Sequence, residues 1–343
     1  MPVSYRITVA RAKELLSQMK QARVAFIGDM CLDAYWRADM RASVLSNETP
    51  HHPLPVVEER YAPGGGANVA ANLAALGVGS LHALSVLGDD WRGMLLKREL
   101  TARGIGLASI VTTENYRTAA YCKPLRGGLS DVVYEDPRID FANTSPLPRA
   151  AEEQLLQMLE SVSKQADAIA VTEQVLCGVL TDAVREAICA LGKKLPVIVD
   201  SRLQAHLYHD VIVKPNEHEA AQMFGADIGD TPAECFGAVR QIATKTNAPA
   251  IITLGGNGAV VFDGTETIHA AAFPCPPPLD IVGAGDTFLS GVTAALAAGA
   301  TLAQAVSLGC AASAVTVKKC GETGTATAEE ILAVLEKEER AWR

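Results

Sequence analysis

The second half of the sequence alternates between patterns typical of helices and patterns typical of strands. We predict helices at 150–163, 181–191 and 232–246, and strands at 168–171, 196–200, 211–213, 250–254 and 259–262. Repeated strand–helix units of this kind form a mainly parallel sheet with helices on both faces. We therefore predict an α/β protein with three layers, and the 343 residues suffice for a single domain over residues 1–343.

The first half adds a helix at 8–20, strands at 23–28 and 81–87, and a helix at 91–103. Two β-rich insertions, at about 35–60 and 112–136, interrupt this alternation, and the second predicts a hairpin. We interpret the insertions as a small β lid, which would exclude water from a site beneath it. Two closing helices are predicted at 302–317 and 328–339.

Charge, hydropathy and cysteine content indicate which compartment and which classes of partner this protein has. The net charge is −9 with no dense basic run, which argues against a nucleic-acid partner. No apolar stretch is long enough to span a membrane, and residues 1–21 lack the apolar core of a signal peptide. The eight cysteines are scattered without a C-x-x-C pair, as in a cytoplasmic protein with reduced thiols and no zinc site.

A glycine-containing stretch, DIVGAGD at 280–286, leads into a segment that reads as a helix. Gly283 and Gly285 would let the N–H groups of the helix N-terminus approach an anion. Asp286 would repel a phosphate there unless its role is to accept the proton of an attacking hydroxyl. The alternative is that Asp280 or Asp286 caps the helix, and this stretch alone leaves both interpretations open.

Polar residues also follow the first predicted strand. Asp29 and Asp33 lie where ligands bind in open α/β sheets, beyond the carboxyl ends of the strands. An aspartate can accept several hydrogen bonds from sugar hydroxyls. For Asp29, hydrogen bonding to its own turn is an equally good interpretation.

A second glycine stretch, GGGAN at 64–68, opens a predicted helix over 69–76. It lacks the Lys-Ser/Thr of a P-loop and the spacing of a dinucleotide site. Gly64 and Gly65 would let a flat polar ligand approach the backbone, and Asn68 could bond a diol. The alternative is tight packing of the helix on the sheet.

Asn216 and Glu219 follow a strand and begin a helix, so they lie at the ligand edge or form a capping box. Thr253 and Gly255 likewise end a strand. On the predicted hairpin, Lys123 and Arg126 either point inward or keep the hairpin soluble.

Together these residues resemble the ribokinase-like (PfkB) sugar kinase family. The stretch at 64–68 resembles its first signature, 280–288 its second, 216–219 its N-x-x-E element and 253–255 its nucleotide-edge strand. Within the family, the chain is most similar to the D-glycero-beta-D-manno-heptose 7-phosphate kinases. The residues that carry this closer similarity lie at 28–36, 46–50 and 55–56.

The resemblance implies a ribokinase-like fold and transfer of the γ-phosphoryl group of ATP, with Mg²⁺, to a hydroxyl of a sugar or sugar phosphate. Asp286 would be the general base, and the N–H groups of Gly283, Ala284 and Gly285 would form an anion hole. The implied acceptor residues are Asp33, Gly64, Gly65, Asn68, Lys123 and Arg126. The implied nucleotide and metal residues are Asn216, Thr253, Gly255, Gly258 and Glu219, the last contacting Mg²⁺ through water.

The resemblance further allows a monovalent cation such as K⁺ and a homodimer, and we expect no fused nucleotidyltransferase domain. For a heptose 7-phosphate acceptor, Arg126, Lys123 and Arg41 are the candidate partners of the distal phosphate. A fructokinase, ribokinase or nucleoside kinase is the alternative within the family. A non-catalytic sugar- or nucleotide-sensing module is the alternative outside it, and a Rossmann oxidoreductase lacks its glycine fingerprint here.

Overall fold

The computed structural model describes residues 4–321 and 323–341, and a ten-stranded sheet forms its middle layer. In spatial order the strands are β1 (Ser4–Tyr5), β15 (Thr267–Ala270), β14 (Ala259–Phe262), β13 (Ala250–Thr253), β12 (Ile212–Val213), β11 (Val197–Ser201), β10 (Ala168–Glu173), β2 (Arg23–Gly28), β5 (Ser80–Gly88) and β6 (Ile110–Thr113). All neighbours from β13 to β6 pair in parallel, whereas β14 is antiparallel to both its neighbours. The predicted mainly parallel sheet is confirmed.

Helices cover both faces of this sheet because successive residues of each central strand point to opposite sides. In β2, Val24 and Phe26 belong to one hydrophobic core, and Ala25 and Ile27 belong to the other. The helices that contribute to the first core are α1 (Val9–Met19), α2 (Gly66–Ala75), α3 (Trp91–Ala102), α8 (Ala284–Ala297), α9 (Leu302–Thr316) and α10 (Ala328–Ala341). Those of the second core are α4 (Arg149–Ser163), α5 (Asp182–Gly192), α6 (Glu217–Phe224) and α7 (Pro232–Thr246). The three-layer prediction is therefore also confirmed.

A second, smaller sheet lies outside this sandwich. Its strands are β4 (Val56–Gly65), β3 (Met30–Asp39), β7 (Ala119–Gly127), β8 (Tyr134–Glu135) and β9 (Ile139–Phe141). The predicted hairpin corresponds to the antiparallel pair β7–β8. The small sheet begins at Met30, before the predicted start of the first insertion at about residue 35. Leu32 and Ala34 are buried in the core, so the start of β3 resembles an ordinary apolar run and its sheet was not recognised.

The glycine stretch at 64–68 belongs to regular secondary structure, and the helix after it begins three residues earlier than predicted. Gly64 and Gly65 end β4, and α2 already begins at Gly66. A Cβ on Gly66 would collide with the ring of Phe26 and lie 2.5 Å from Oγ1 of Thr172. The tight-packing interpretation is therefore right for Gly66.

The order of the strands creates a crevice at the centre of the sheet. The chain proceeds from β2 to β5 and β6 on one side, and β10 to β13 lie on the other side of β2. Ligands of open α/β sheets bind at such a reversal, beyond the carboxyl ends of the strands. No helix in the described part of the chain is long and apolar enough to cross a membrane.

Candidate active site

Asp286 lies in the first turn of α8 without capping that helix. The N-cap residue is Gly283, which has a left-handed φ of 79° and no side chain that could accept a capping hydrogen bond. The carboxylate of Asp280 accepts hydrogen bonds from the N–H groups of Val282 (3.0 Å) and Gly321 (2.9 Å). Neither aspartate caps α8, so the alternative that the sequence left open is wrong.

Two side-chain amides hold the carboxylate of Asp286 in place. Asn68 Nδ2 donates to Oδ2 at 2.9 Å, and Gln174 Nε2 donates to Oδ1 at 3.3 Å. Burial raises the pKa of Asp286 to about 7; the negative charge of Asp200 adds to this, whereas the Asn68 hydrogen bond opposes it. A carboxyl group with a pKa near neutral pH is suited to accept a proton.

The N-terminus of α8 presents free backbone donors. The N–H of Ala284 donates to the carbonyl of Ile281 at 3.1 Å, so it is engaged in the turn. Within the described residues, the N–H groups of Gly285 and Asp286 donate no hydrogen bond. A Cβ on Gly285 would have no atom within 4 Å, so the space beside this turn is open. Free N–H groups at a helix N-terminus can bind an anion.

Asp33 lies on the small sheet and forms an ion pair with Lys123. The residue is only 4% exposed, and its Oδ2 accepts hydrogen bonds from Lys123 Nζ (3.2 Å) and Thr323 Oγ1 (3.0 Å). Lys123 also donates to the Tyr35 hydroxyl at 3.1 Å, and its side chain is 11% exposed. Lys123 therefore points inward, as one of the two interpretations of the hairpin cations expected.

The other two predicted cations occupy different surroundings. Arg126 forms an ion pair with Asp136 at 2.9 Å. It lies three residues beyond Lys123 on β7, and side chains at that spacing point to opposite faces of a strand. Arg41 is 73% exposed and pairs with Asp39 at 2.7 Å. Of the three, Lys123 is the cation that the structure brings to Asp33.

Asp29 has a structural environment. Its buried carboxylate accepts hydrogen bonds from the backbone N–H groups of Gln174 (2.9 Å), Val175 (3.1 Å) and Val179 (2.8 Å). Burial raises the pKa of Asp29 to about 6, and the three N–H donors oppose that rise. The loop that presents Gln174 to Asp286 is thereby fixed to the end of β2.

Asn216 and Glu219 form the capping box of α6. Glu219 N donates to Asn216 Oδ1 at 2.8 Å, and Asn216 N donates to Glu219 Oε2 at 2.9 Å. Thr253 is paired with Asn216 across the end of the sheet, so two predicted nucleotide residues are neighbours. Burial, followed by the charge of Asp200, raises the pKa of Glu219. Within the described residues, Glu219 Oε1 accepts no hydrogen bond, which leaves one carboxylate oxygen for a ligand.

Two further glycines lie in the turn between β13 and β14. Gly255 has a φ of 49° and open space where a Cβ would stand. A Cβ on Gly258 would collide with the carbonyl of Ala270, so this glycine is required for packing against β15. Gly64 is also constrained, because a Cβ there would lie 2.6 Å from Asp33 Oδ1.

Three residues of this region were not among the predicted site residues. Lys214 is 4% exposed and pairs with Asp200 at 3.1 Å, close enough to Asp286 to lower its pKa. The sequence could have identified Lys214, because it follows a predicted strand and lies two residues before Asn216. Gln174 also follows a strand, whereas Thr323 has no recognisable signal in the sequence.

The comparisons with known proteins agree with this geometry. A family model described as "pfkB family carbohydrate kinase" matches residues 21–329. The chain is 32% identical over 338 residues to the bifunctional protein HldE of Hyphomonas neptunium, covering 95% of this chain. It is 32% identical over 316 residues to the protein of the same name from Citrifermentans bemidjiense, covering 91% of this chain. The aligned regions make up 66% and 63% of those relatives, so the chain spans about two thirds of their length.

Solved structures share the fold at lower identity. Phosphofructokinase-2 from Escherichia coli in complex with potassium superposes with a TM-score of 0.72 at 21% identity, over 93% of this chain and 100% of that chain. Ribokinase from Arabidopsis thaliana complexed with ribose and ATP superposes with a TM-score of 0.68 at 19% identity, over 92% and 99% of the two chains. These similarities show that the fold is ribokinase-like.

Proposed function

The chain belongs to the pfkB family of carbohydrate kinases, and from this premise we propose its acceptor and the roles of its residues. Membership makes it a phosphotransferase with an alcohol group as acceptor. The proposed reaction is transfer of the γ-phosphoryl group of ATP to a hydroxyl of heptose 7-phosphate.

The observation that carries the proposal is the arrangement of Asp286. Its carboxylate is held by Asn68 and Gln174 and lies in the first turn of α8, next to free N–H groups. Asp286 would accept the proton of the attacking hydroxyl. The N–H groups of Gly285 and Asp286, with that of Gly283, would stabilise the negative charge of the transferring phosphoryl group. Ala284 is left out because Ile281 already accepts its N–H.

The nucleotide edge of the sheet has a carboxylate oxygen that suits a phosphate-bound Mg²⁺. Within the described residues, no group of three or more histidine, cysteine or acidic side chains could hold a metal ion. Mg²⁺ commonly uses one or two carboxylates together with waters and substrate phosphates, so the free Oε1 of Glu219 fits that pattern through water. Mg²⁺ supplies charge neutralisation on the phosphates when bound. Asn216, Thr253, Gly255 and Gly258 would border the nucleotide.

Two observations support a phosphorylated acceptor. The relatives named bifunctional protein HldE match most of this chain, and the motifs resemble heptose 7-phosphate kinases. Lys123 lies beside Asp33 and uses two of its three N–H donors on Asp33 and Tyr35, which leaves one for a distal phosphate. Arg126 lies on the other face of β7 and Arg41 is largely exposed, so Lys123 is the better candidate.

A free sugar is the second candidate because Asp33 already neutralises the charge of Lys123. The acceptor would then be fructose, ribose or a nucleoside. Three further properties remain predictions. Comparing activity in K⁺ with activity in N-methylglucamine tests the K⁺ requirement. Light scattering tests the homodimer, and limited proteolysis tests the single kinase domain.

The deciding experiment compares kcat/KM for D-glycero-D-manno-heptose 7-phosphate with kcat/KM for the dephosphorylated heptose, fructose, ribose and adenosine. We expect the highest value for heptose 7-phosphate, with strict dependence on ATP and Mg²⁺. A clear preference for an unphosphorylated acceptor would replace the proposed substrate and leave the kinase assignment in place.

A further inference from the structure

We propose that Thr323 is a positioning residue for the acceptor sugar. With Lys123 it fixes one carboxylate oxygen of Asp33, and the other oxygen is left to accept a hydrogen bond from an acceptor hydroxyl. The inference rests on the proposed function, because it requires the acceptor to bind at Asp33.

The two oxygens of Asp33 have different surroundings. Oδ2 accepts hydrogen bonds from Thr323 Oγ1 at 3.0 Å and from Lys123 Nζ at 3.2 Å. Oδ1 accepts no hydrogen bond within the described residues, and it lies over Gly64, where a Cβ would stand 2.6 Å away. The absence of a side chain at Gly64 therefore makes room for Oδ1, the oxygen that has no hydrogen-bond partner.

Thr323 is the first residue of the segment 323–327, which leads into α10 and is held in place by two side chains. Asn72 anchors it twice: its Nδ2 donates to the carbonyl of Gly324 at 3.5 Å, and its Oδ1 accepts from the N–H of Ala326 at 3.2 Å. Lys319 Nζ donates to the carbonyl of Thr325 at 2.6 Å. These contacts hold the backbone that directly follows Thr323, so its hydroxyl is presented to Asp33 from a supported position.

Thr323 also contacts the start of the helix that carries Asp286. A Cβ on Gly283, the N-cap of α8, would lie 2.8 Å from Thr323 Cγ2 and 2.8 Å from Asn68 Nδ2. Asn68 is the donor that holds Asp286. The threonine methyl group therefore packs near the residues that position Asp286, while its hydroxyl binds the carboxylate of Asp33. Thr323 thus links the position of the proposed base to that of the residue proposed to bind the acceptor.

The hydroxyl matters because the terminal torsion of an aspartate is broad and weakly restricted. With Thr323 in place, two donors hold Oδ2 of Asp33 and so restrain the rotation of its carboxylate. Without the hydroxyl, Lys123 is the remaining donor, and the carboxylate can rotate toward it. Oδ1 then leaves the position over Gly64, and the acceptor hydroxyl loses a defined partner.

The test uses two substitutions that separate the methyl group from the hydroxyl. Thr323→Val keeps the shape of the side chain and removes the hydroxyl, whereas Thr323→Ser keeps the hydroxyl and serves as the matched control. Kinetics are measured with heptose 7-phosphate varied at saturating ATP, and with ATP varied at saturating acceptor. Thermal unfolding of each variant is recorded in parallel.

For Thr323→Val, we expect the KM of the acceptor to rise about tenfold, the low end for losing a hydrogen bond to a charged group. The KM of ATP should change less than about twofold by the same reasoning, and Thr323→Ser should behave as the wild type. An unchanged acceptor KM in Thr323→Val would overturn the inference. So would an equal loss for acceptor and ATP, accompanied by a lower Tm in both variants. If the wild type phosphorylates no sugar or sugar phosphate, the proposed function fails, and this inference is overturned with it.

Discussion

Replacement of Asp286 by asparagine tests the proposed base with little change of shape. The asparagine Oδ1 can keep the hydrogen bond from Asn68, now 2.9 Å long. Its NH₂ group then faces Gln174, whose amide can turn over and offer Oε1 in place of the present 3.3 Å donor. Both supporting contacts can therefore survive, while the proton acceptor is lost.

The expected loss follows from the chemistry of a general base, which contributes about 10²–10⁴-fold to turnover. We therefore expect kcat of Asp286→Asn to fall at least about 100-fold, while ATP still binds. In the wild type, the ionised carboxylate is the active form, and burial raises its pKa to about 7. Activity should rise with pH through that value and stand about tenfold below its plateau at pH 6.

The stability of the wild-type fold should fall with rising pH, whereas its activity rises. The pKa of Asp286 is raised from 3.8 to about 7 in the folded protein. Between these values the unfolded carboxyl ionises while the folded one keeps its proton, so rising pH favours the unfolded state. This cost is complete above pH 7. Because asparagine does not ionise, the variant should have a higher Tm than the wild type at pH 8, and the difference should vanish near pH 4.

The assay combines three measurements on the same two proteins. Turnover is followed between pH 5.5 and 9 through coupled ADP release, ATP affinity by calorimetry and Tm by scanning calorimetry. Loss of activity with a lower Tm at pH 8 would indicate damage to the fold rather than loss of a base. Turnover within about tenfold of the wild type, or an unchanged acidic limb, would refute the role of Asp286.

Three further changes test the rest of the site. Gly285→Val places a branched side chain in the open space before the free N–H groups, so activity should vanish while the far-ultraviolet circular dichroism stays native; normal turnover would make the glycine merely structural. Asp33→Asn should weaken sugar binding about 10–100-fold in a calorimetric titration and leave ATP binding intact, whereas equal loss of both ligands would indicate disorder around the buried Lys123. Glu219→Gln keeps a carbonyl oxygen for the capping box but removes the negative charge, so the Mg²⁺ concentration for half-maximal activity should rise about tenfold. An unchanged Mg²⁺ dependence would show that Glu219 does not lie near the metal.

The layered fold could be read from the sequence because its signals are local. Apolar runs that end in polar or glycine residues, alternating with amphipathic helices after Pro148, are sufficient to predict a parallel sheet with two covered faces. The extent of the small sheet was not predictable in the same way. Its strand β3 follows β2 directly, and the burial of Leu32 and Ala34 depends on contacts with distant helices.

The sequence also placed Asp286, Asn68 and Asp33 among the site residues, because each lies in a motif at a strand end or a helix start. It could not decide between catalysis and capping for Asp286, since that depends on donors 218 and 112 residues away in the chain. Nor could it show that β7 continues through Arg126, which places Arg126 and Lys123 on opposite faces of that strand. Local patterns determine which residues end at the crevice. Tertiary packing alone brings Thr323, 290 residues from Asp33 in the chain, to within 3.0 Å of its carboxylate.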